Sequence, residues 1–400
     1  MPWKETCVMD ERAELVLAAR EENRNMAALC RVFGISRKTG YKWIERYEAE
    51  GLVGLKDLSR RPHKIPHETK ADVVCEIVKI RTAYPSWGPK KIRAILRRTF
   101  RRKKLPAANT IGNVLKRCGL LDGRRRRKQT GLIPQERPCV TPDAPNDVWT
   151  IDFKGWWLTG DGTRCNPLTI RDEFCRYILE ISALDKGTVE AVQPRFEAVF
   201  RKYGLPDTIR MDNGTPFVAK GVVGLTRLSA WFIRLGIKVD RTRPAHPQDN
   251  GGHERMHRDM KGELQKKPAN SLHEEQERFD LWKREFNTIR PHEALGMKTP
   301  AEVYRRSVKR FPKHLPKIEY PASYSMRSVR HDGYIKWNGT TRYVSQALAG
   351  EKVGLERMSD TTMRLWYCDV QIGELDILGA SPLRPTASEE TPREVEEEEV

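Results

Sequence analysis

Apolar residues at helical spacing appear early in the chain: Met26, Leu29, Cys30 and Phe33 recur three or four positions apart before Gly34 breaks the pattern. Ser36 stands where a helix cap belongs, ahead of a second helix predicted over Arg37–Tyr47. A Pro- and Arg-rich stretch at 59–66 follows. Helical periodicity then returns over 68–121, broken at Tyr84–Pro89 and Leu105–Ala107. A second linker starts at the basic run 124–128 and continues through Pro134, Pro138, Pro142 and Pro145. From Val148 the texture changes to strands. VWTIDFKGWWL, TRCNPLTIRD and CRYILEISAL are three β-rich runs, the first two joined by the turn-prone GDG at 160–162. A helix near 188–203, a strand at Asp207–Met211, a helix near 221–235 and a strand at Ile237–Asp240 come next. Two helices, near 250–266 and 271–287, close this region. Further β-like runs over 325–378 predict a small barrel or sheet.

These elements predict a multidomain protein: all-α helix-turn-helix units, an α/β core with a mixed five-stranded sheet flanked by helices, and a small C-terminal β module. The expected boundaries are 1–60 and 67–122 for two helical units and 123–145 for a basic, Pro-rich linker. They are 146–305 for the α/β core, 320–380 for the β module and 381–400 for an acidic tail without fixed structure.

Charge changes the picture next. Lys plus Arg number 73 against 54 acids, a net +19, and residues 389–400 hold seven Glu with one Arg, so the body is more basic than the total. An excess of this size and sign is the electrostatic footprint of a partner that is itself a polyanion, usually nucleic acid. The eight cysteines show no C-x-x-C pair or zinc-finger spacing, which predicts reduced thiols in a cytoplasmic protein. The first residues lack the apolar core of a signal peptide, and no apolar run is long enough to span a bilayer, so no membrane partner is expected.

Three acids stand out by placement. Asp152 lies within the first predicted strand, Asp212 directly after the strand T-I-R-M and before Asn213-Gly214, and Glu254 where a helix starts after two glycines. An acid inside one strand and an acid at the end of another can meet at one edge of a sheet, and a helix packed there can add a third. Convergent carboxylates suit magnesium, and two such ions roughly 4 Å apart can serve an in-line displacement at phosphorus. By composition alone Asp172, Asp185 and Asp249 look no different, and most acids in so charged a chain are solvated surface groups. The segment His253-Glu254-Arg255-Met256-His257 also fits H-E-x-x-H, the zinc-protease pattern. Its polar flanks argue against a buried zinc helix, and that reading leaves Asp152, Asp212 and the basic charge without a role. His253 and His257 are then expected to face DNA or to pack beside the acid.

The runs WTIDFKG, GLPDTIRMDNGTPF and RPAHPQDNGGHERMHRDMK, with NTIRPHEALGMKTPAEVY after them, resemble the catalytic core of bacterial insertion-sequence DDE transposases, in the retroviral-integrase superfamily. The likeness covers about residues 143–305. It implies an RNase H-like fold, Asp152, Asp212 and Glu254 as the metal-holding catalytic acids, two Mg2+ or Mn2+ ions, and cleavage to a 3′-hydroxyl followed by strand transfer. It also implies a DNA contact at Lys261. One departure is the spacing: 41 residues separate Asp212 from Glu254, longer than is common in that superfamily, with the extra length around KGVVGLTRLSAWFIRLG.

Two stretches predict how DNA would be read. In 27–47 Ala28, Leu29, Phe33, Ile35, Trp43 and Ile44 are expected inside a helix-turn-helix, leaving Ser36, Arg37, Lys38, Thr39 and Lys42 toward the groove. This unit also resembles the N-terminal module of the same transposases. A second unit over 87–117 would expose Asn109, Thr110, Asn113 and Lys116. Arg124, Arg125, Arg126 and Arg127 lack base-reading geometry and are expected to hold phosphate regardless of sequence. The expected partners are double-stranded DNA, both element ends and target, and further copies of the chain assembled on it. The rival reading is a DNA-binding regulator whose core has lost catalysis.

Overall fold

A computed structural model describes residues 7–21, 25–58, 69–100, 104–121, 140–212, 214, 217, 224–243, 250–376 and 383. Arg124–Arg127, Asn213, the linker at 59–66, Asp249 and the acidic tail apart from Leu383 lie outside the described residues. The chain divides into two compact units, residues 1–70 and 71–400.

The first unit is three helices, α1 (Val8–Ala18), α2 (Met26–Val32) and α3 (Arg37–Glu50). Ser36 caps α3 as its position predicts, accepting from the Thr39 amide at 3.2 Å, and the helix runs one turn past Tyr47. Gly34 makes the intervening turn with φ +62°. Leu15, Val16, Trp43 and Leu55 form the core, with Leu29, Phe33, Ile35 and Ile44 packed against it. Ala28 is a correction: it faces solvent, and Cys30 fills the inside. The reason is steric. Gly40 brings α3 so close that a Cβ there would lie 2.7 Å from Cys30 Sγ, so the face of α2 turned inward is the one bearing Cys30.

The second unit begins with α4 (Ala71–Ala83), α5 (Pro89–Thr99) and α6 (Ala108–Arg117), wrapped around Ile77, Trp87, Ile92, Leu96, Ile111 and Leu115. This three-helix module belongs to the same compact unit as the α/β core. The core sheet contains β1 (Val148–Phe153), β2 (Trp157–Leu158), β3 (Arg164–Asp172), β4 (Ile178–Leu184), β5 (Thr208–Met211) and β6 (Lys238–Arg241). The five longer strands run β4-β3-β1-β5-β6. β3 is antiparallel to β1 and β4, while β1, β5 and β6 are parallel. The sheet is mixed, as expected, with six strands in place of five because the two-residue β2 pairs with the start of β3.

Helices cover both faces. α7 (Val189–Tyr203) and α8 (Arg227–Arg234) pack Phe196, Phe200, Leu228 and Phe232 against Trp149, Ile151, Leu168, Ile170, Ile209 and Met211. α9 (Gly251–Met260), one π turn (Lys261–Gln265) and α10 (Leu272–Thr288) bring Met256, Met260 and Phe279 against Ile178 and Ile181 on the other face. Strand side chains alternate between faces. Trp149 and Ile151 look toward α7, so Thr150 and Asp152 look toward α9. By the same count Thr169 and Arg171 on β3, and Arg210 and Asp212 at the end of β5, share that α9 side.

A short helix, α11 (Pro300–Val303), ends the core. The C-terminal module is a four-stranded antiparallel sheet, β12 (Val370–Asp376), β11 (Thr362–Tyr367), β10 (Lys352–Arg357) and β7 (Ser325–Ser328), plus the hairpin β8 (Tyr334–Trp337) and β9 (Thr340–Tyr343). Its interior, with Val353, Leu355, Leu365 and Tyr367, extends to Leu225, Ala230 and Ile233 at α8. Arg234 and Glu351 pair at 2.5 Å beside this seam. Thus α8 packs the sheet core with one flank and carries the C-terminal module on the other.

Candidate active site and nucleic-acid interface

The parallel register of β1 on β5 pairs Val148 with Thr208, Trp149 with Ile209 and Thr150 with Arg210. Two residues further along each strand stand Asp152 and Asp212, level with one another on the α9 side. Gly214 closes the turn after β5: its amide donates to Asp212 Oδ1 at 3.1 Å, and a Cβ on it would press within 3.2 Å of that carboxylate. Glu254 lies in the first turn of α9 with its side chain exposed. The three acids sense one another. Burial first, then the negative charge of Asp212, pushes the Asp152 carboxyl up to about 7; the Phe153 amide works against the rise and Glu254 adds to it. Among the described residues no group of three or more His, Cys, Asp or Glu side chains stands close enough together to hold a metal ion as they are placed.

A single hydroxyl fixes α9 over the strand of Asp152. Thr169 Oγ1 donates to the Asp152 carbonyl oxygen at 2.9 Å and lies 2.5 Å from His253 Nε2 and 2.8 Å from His257 Nε2. Having given its one proton to the carbonyl, it accepts from both rings, so each imidazole carries its proton on Nε2. His253 Nδ1 then accepts from Thr150 Oγ1 at 2.9 Å, and His257 Nδ1 turns a lone pair toward Asp152 Oδ2, 3.5 Å away. Both rings are neutral. Burial and the charges of Lys154 and Arg171 hold His257 down to about 3, and burial and His257 lower His253. The contact of His257 with Asp152 is therefore no ion pair.

This network overturns the H-E-x-x-H reading. Both ring nitrogens of His253 are engaged by threonine hydroxyls, and Glu254 points away from the imidazoles into solvent. The histidines pack beside the acids, and no zinc site exists among the described residues.

Asp172, alike in composition, is separated by structure. It pairs with Trp149, three residues back along β1 from Asp152, and is consumed by the Asn146 and Cys175 amides at 2.6 and 2.8 Å. Asp185 is exposed.

Lys261 is exposed at the first residue of the π turn. Lys154 is a residue the sequence reading missed. It is half-buried, its ammonium lowered by burial and by Lys261 while Asp152 opposes the shift, so both lysines border the acids. The signal was present as a lysine two positions after Asp152, on the same strand face by alternation.

In the helical units Ser36, Arg37, Lys38 and Lys42 are exposed and Thr39 half-buried. Ser36 and Thr39 hydroxyls bond each other at 2.9 Å as part of the cap, leaving the three cations as the free groups of that helix start. On α6, Asn109, Asn113 and Lys116 are exposed along one stripe opposite Ile111, Val114 and Leu115, with Thr110 half-buried.

Comparison with known proteins finds similarity along most of the chain. Residues 142–247 and 235–300 each match an integrase core domain. Between them the two matches run over residues 142–300, the α/β core. Ahead of it, residues 11–63 match a helix-turn-helix domain and residues 39–115 a homeodomain-like domain. The chain is 26% identical over 257 residues to an uncharacterized protein of insertion element IS476 from Xanthomonas euvesicatoria, covering 63% of this chain and 70% of that one. It is 28% identical over 181 residues to an uncharacterized protein of insertion element IS407 from Burkholderia multivorans, covering 45% of this chain and 62% of that one. Among solved structures it is similar to the HTLV-2 integrase catalytic core domain in complex with magnesium, at 18% identity, 41% of this chain, all (100%) of that one and a TM-score of 0.33, a likeness too slight to carry an argument. The integrase core and the insertion-element relatives support a transposase or integrase function. No helix among the described residues is long and apolar enough to cross a membrane.

The raised Asp152 carboxyl of the integrase core has a consequence for stability. Folding holds the proton to about pH 7, whereas the unfolded chain releases it near 3.8, the ordinary value for an aspartate. Between these values the folded state binds more protons, so metal-free stability falls as pH rises and levels off above about 7. Asp152→Asn removes that loss. In chelator, its melting temperature is expected to exceed that of wild type by a few degrees at pH 8 and to match it at pH 4.

Proposed function

We propose that this chain is a DNA transposase that cuts a phosphodiester at each end of an insertion sequence and joins the freed 3′-hydroxyl to target DNA. The observation that supports the reading is the level placement of Asp152 and Asp212 at the ends of neighbouring parallel strands, where burial first, then the charge of Asp212 and a smaller push from Glu254, raise the Asp152 carboxyl. Carboxylates suit a hard divalent cation, and both nitrogens of His253 are taken by threonines, while His257 gives Nε2 to Thr169 and keeps Nδ1 facing Asp152. Asp152, Asp212 and Glu254 would hold a pair of magnesium or manganese ions, which when bound activate the attacking oxygen and stabilise the leaving one.

The other residues do the holding. Lys154 and Lys261 neutralise the phosphates of the strand being cut. His253 and His257 keep α9, and with it Glu254, seated over β1. Arg37, Lys38 and Lys42 on α3, and Asn109, Asn113 and Lys116 on α6, read the element's terminal sequence, and Arg124–Arg127 bind its backbone. Two ends must be joined together, so the working form is a homo-oligomer on DNA, in the bacterial cytoplasm where that DNA lies.

The test is direct. Purified chain, magnesium and DNA carrying the inverted repeats that flank this gene are expected to yield 3′-hydroxyl nicks and joined products. Specific binding without any cutting would instead identify a regulator that has lost catalysis.

A further inference from the structure

Between α5, α9 and the loop following α10 lies a cleft of about 320 Å³. Its walls carry Lys90, Lys91, Arg171, Arg176 and Arg255 against two acids, Asp259 and Glu293. Both acids are already engaged, Glu293 by Lys90 and Asp259 by Arg290 at 3.2 Å. Arg171 is paired with Glu173. That leaves Lys91, Arg176 and Arg255 without an ion-pair partner among the described residues. Burial, Arg290 and Arg255 lower Lys91 against the pull of Asp259 and Glu263, and burial and Arg171 lower Arg176 against the pull of Glu173.

Two independent observations point to something held there. Arg176 has φ +64°, a left-handed conformation that suits Gly or Asn and strains a long side chain. The guanidinium that this turn carries lines the cleft. His292, only 8% exposed, lines the same cleft, and its Nε2 has no hydrogen-bond partner. Burial and the surrounding cations hold this imidazole neutral, down to about 3. At the far wall Gly252 lets the Arg171 guanidinium sit against the first turn of α9, where a Cβ would fall 2.4 Å from Nη2. The cleft is thus a concave patch lined by five cations against two acids, with one unsatisfied buried polar atom.

We propose that this cleft binds a backbone phosphodiester of the DNA, with Lys91, Arg176 and Arg255 as its counter-charges and His292 donating from Nε2. The proposal rests on the reading of the chain as a DNA-acting protein and adds a phosphate anchor at the junction of the α4–α6 module and the integrase core. Held there, the strand would be fixed to both at once, beside the helix that carries Glu254.

Arg176→Gly and Lys91→Ala test it in the full chain through two readouts. The first is thermal stabilisation by inorganic phosphate, and the second is the salt dependence of DNA affinity. Arg176→Gly is expected to melt no lower than wild type, because glycine suits the turn. It should nevertheless lose the stabilisation by phosphate, and each variant should show a log–log salt slope shallower by about one. Equal phosphate stabilisation of wild type and both variants overturns the site. A phosphate effect that depends on Arg176, joined to an unchanged salt slope, overturns the DNA assignment in favour of a free phosphate ligand. Failure of the transposase reading looks different: the cleft binds phosphate and DNA as expected, yet no strand is cut.

Discussion

Asp152→Asn, Asp212→Asn and Glu254→Gln are each expected to lower magnesium-dependent cutting of element-end DNA by more than about a hundredfold, while leaving DNA affinity within a few-fold of wild type. Loss of partners one shell further from a metal already costs 10–100-fold, and these carboxylates would be the ligands themselves. Each replacement keeps the size of the side chain and removes only its charge. The Glu254 variant is the cleanest of the three. Its side chain is exposed on the first turn of α9, and the contacts that seat that helix belong to His253, Met256, His257 and Met260. Its melting temperature should therefore equal that of wild type, so lost activity cannot be ascribed to a damaged fold. If the Glu254→Gln protein nicks DNA at the wild-type rate, the assignment of the third acid is wrong.

The largest stability effect is expected away from the acids. Arg290 is 1% exposed and gathers three carboxylates, Asp259 at 3.2 Å, Glu263 at 2.6 Å and Glu285 at 3.4 Å. Glu263 also accepts from Trp282 Nε1 at 2.6 Å and from Ser86 Oγ at 2.7 Å. One guanidinium thus joins α9, its π turn, α10 and the turn before α5. Arg290→Ala leaves the three acids crowded with only Lys91 nearby as a counter-charge among the described residues, for which loss of about 3–5 kcal/mol is expected. Arg290→Lys recovers only part of this, because an ammonium cannot present the planar fork that three carboxylates share. Urea denaturation followed by tryptophan fluorescence measures both. A loss below about 1 kcal/mol for the alanine variant would mean that the acids relax into solvent when the arginine is gone.

Much of the fold was legible because period and punctuation agreed. Helices were expected near 188–203 and 271–287, and α7 and α10 lie within a residue or so of those bounds. Alternation in W-T-I-D and T-I-R-M-D was enough to place Asp152 and Asp212 on a common face once the strands were known to be parallel. What periodicity could not supply was pairing. The two-residue β2 has too little sequence to announce itself, and nothing local tells Asp172 from Asp152. They differ in which end of β1 they reach and in the amides that meet them. The histidines were ambiguous for a similar reason. H-E-x-x-H fixes two imidazoles on one side of a helix but does not say what the helix packs against, and here threonines on β1 and β3 take three of their four nitrogens, the fourth facing Asp152. The residues of the phosphate cleft come from α5, β3, the turn before β4, α9 and the loop after α10, so no window of sequence contains them.

The long interval between Asp212 and Glu254 looks on paper like an insertion that could be trimmed. Its helix α8 is shared property. Leu228 and Phe232 belong to the integrase core, whereas Ala230 and Ile233 are the floor on which the C-terminal sheet rests. Interval and appendage therefore depend on one another for their packing. A descendant that shortened the interval would strand Leu365 and Tyr367 in water, and one that discarded the sheet would need polar residues at 230 and 233 before it could stay in solution.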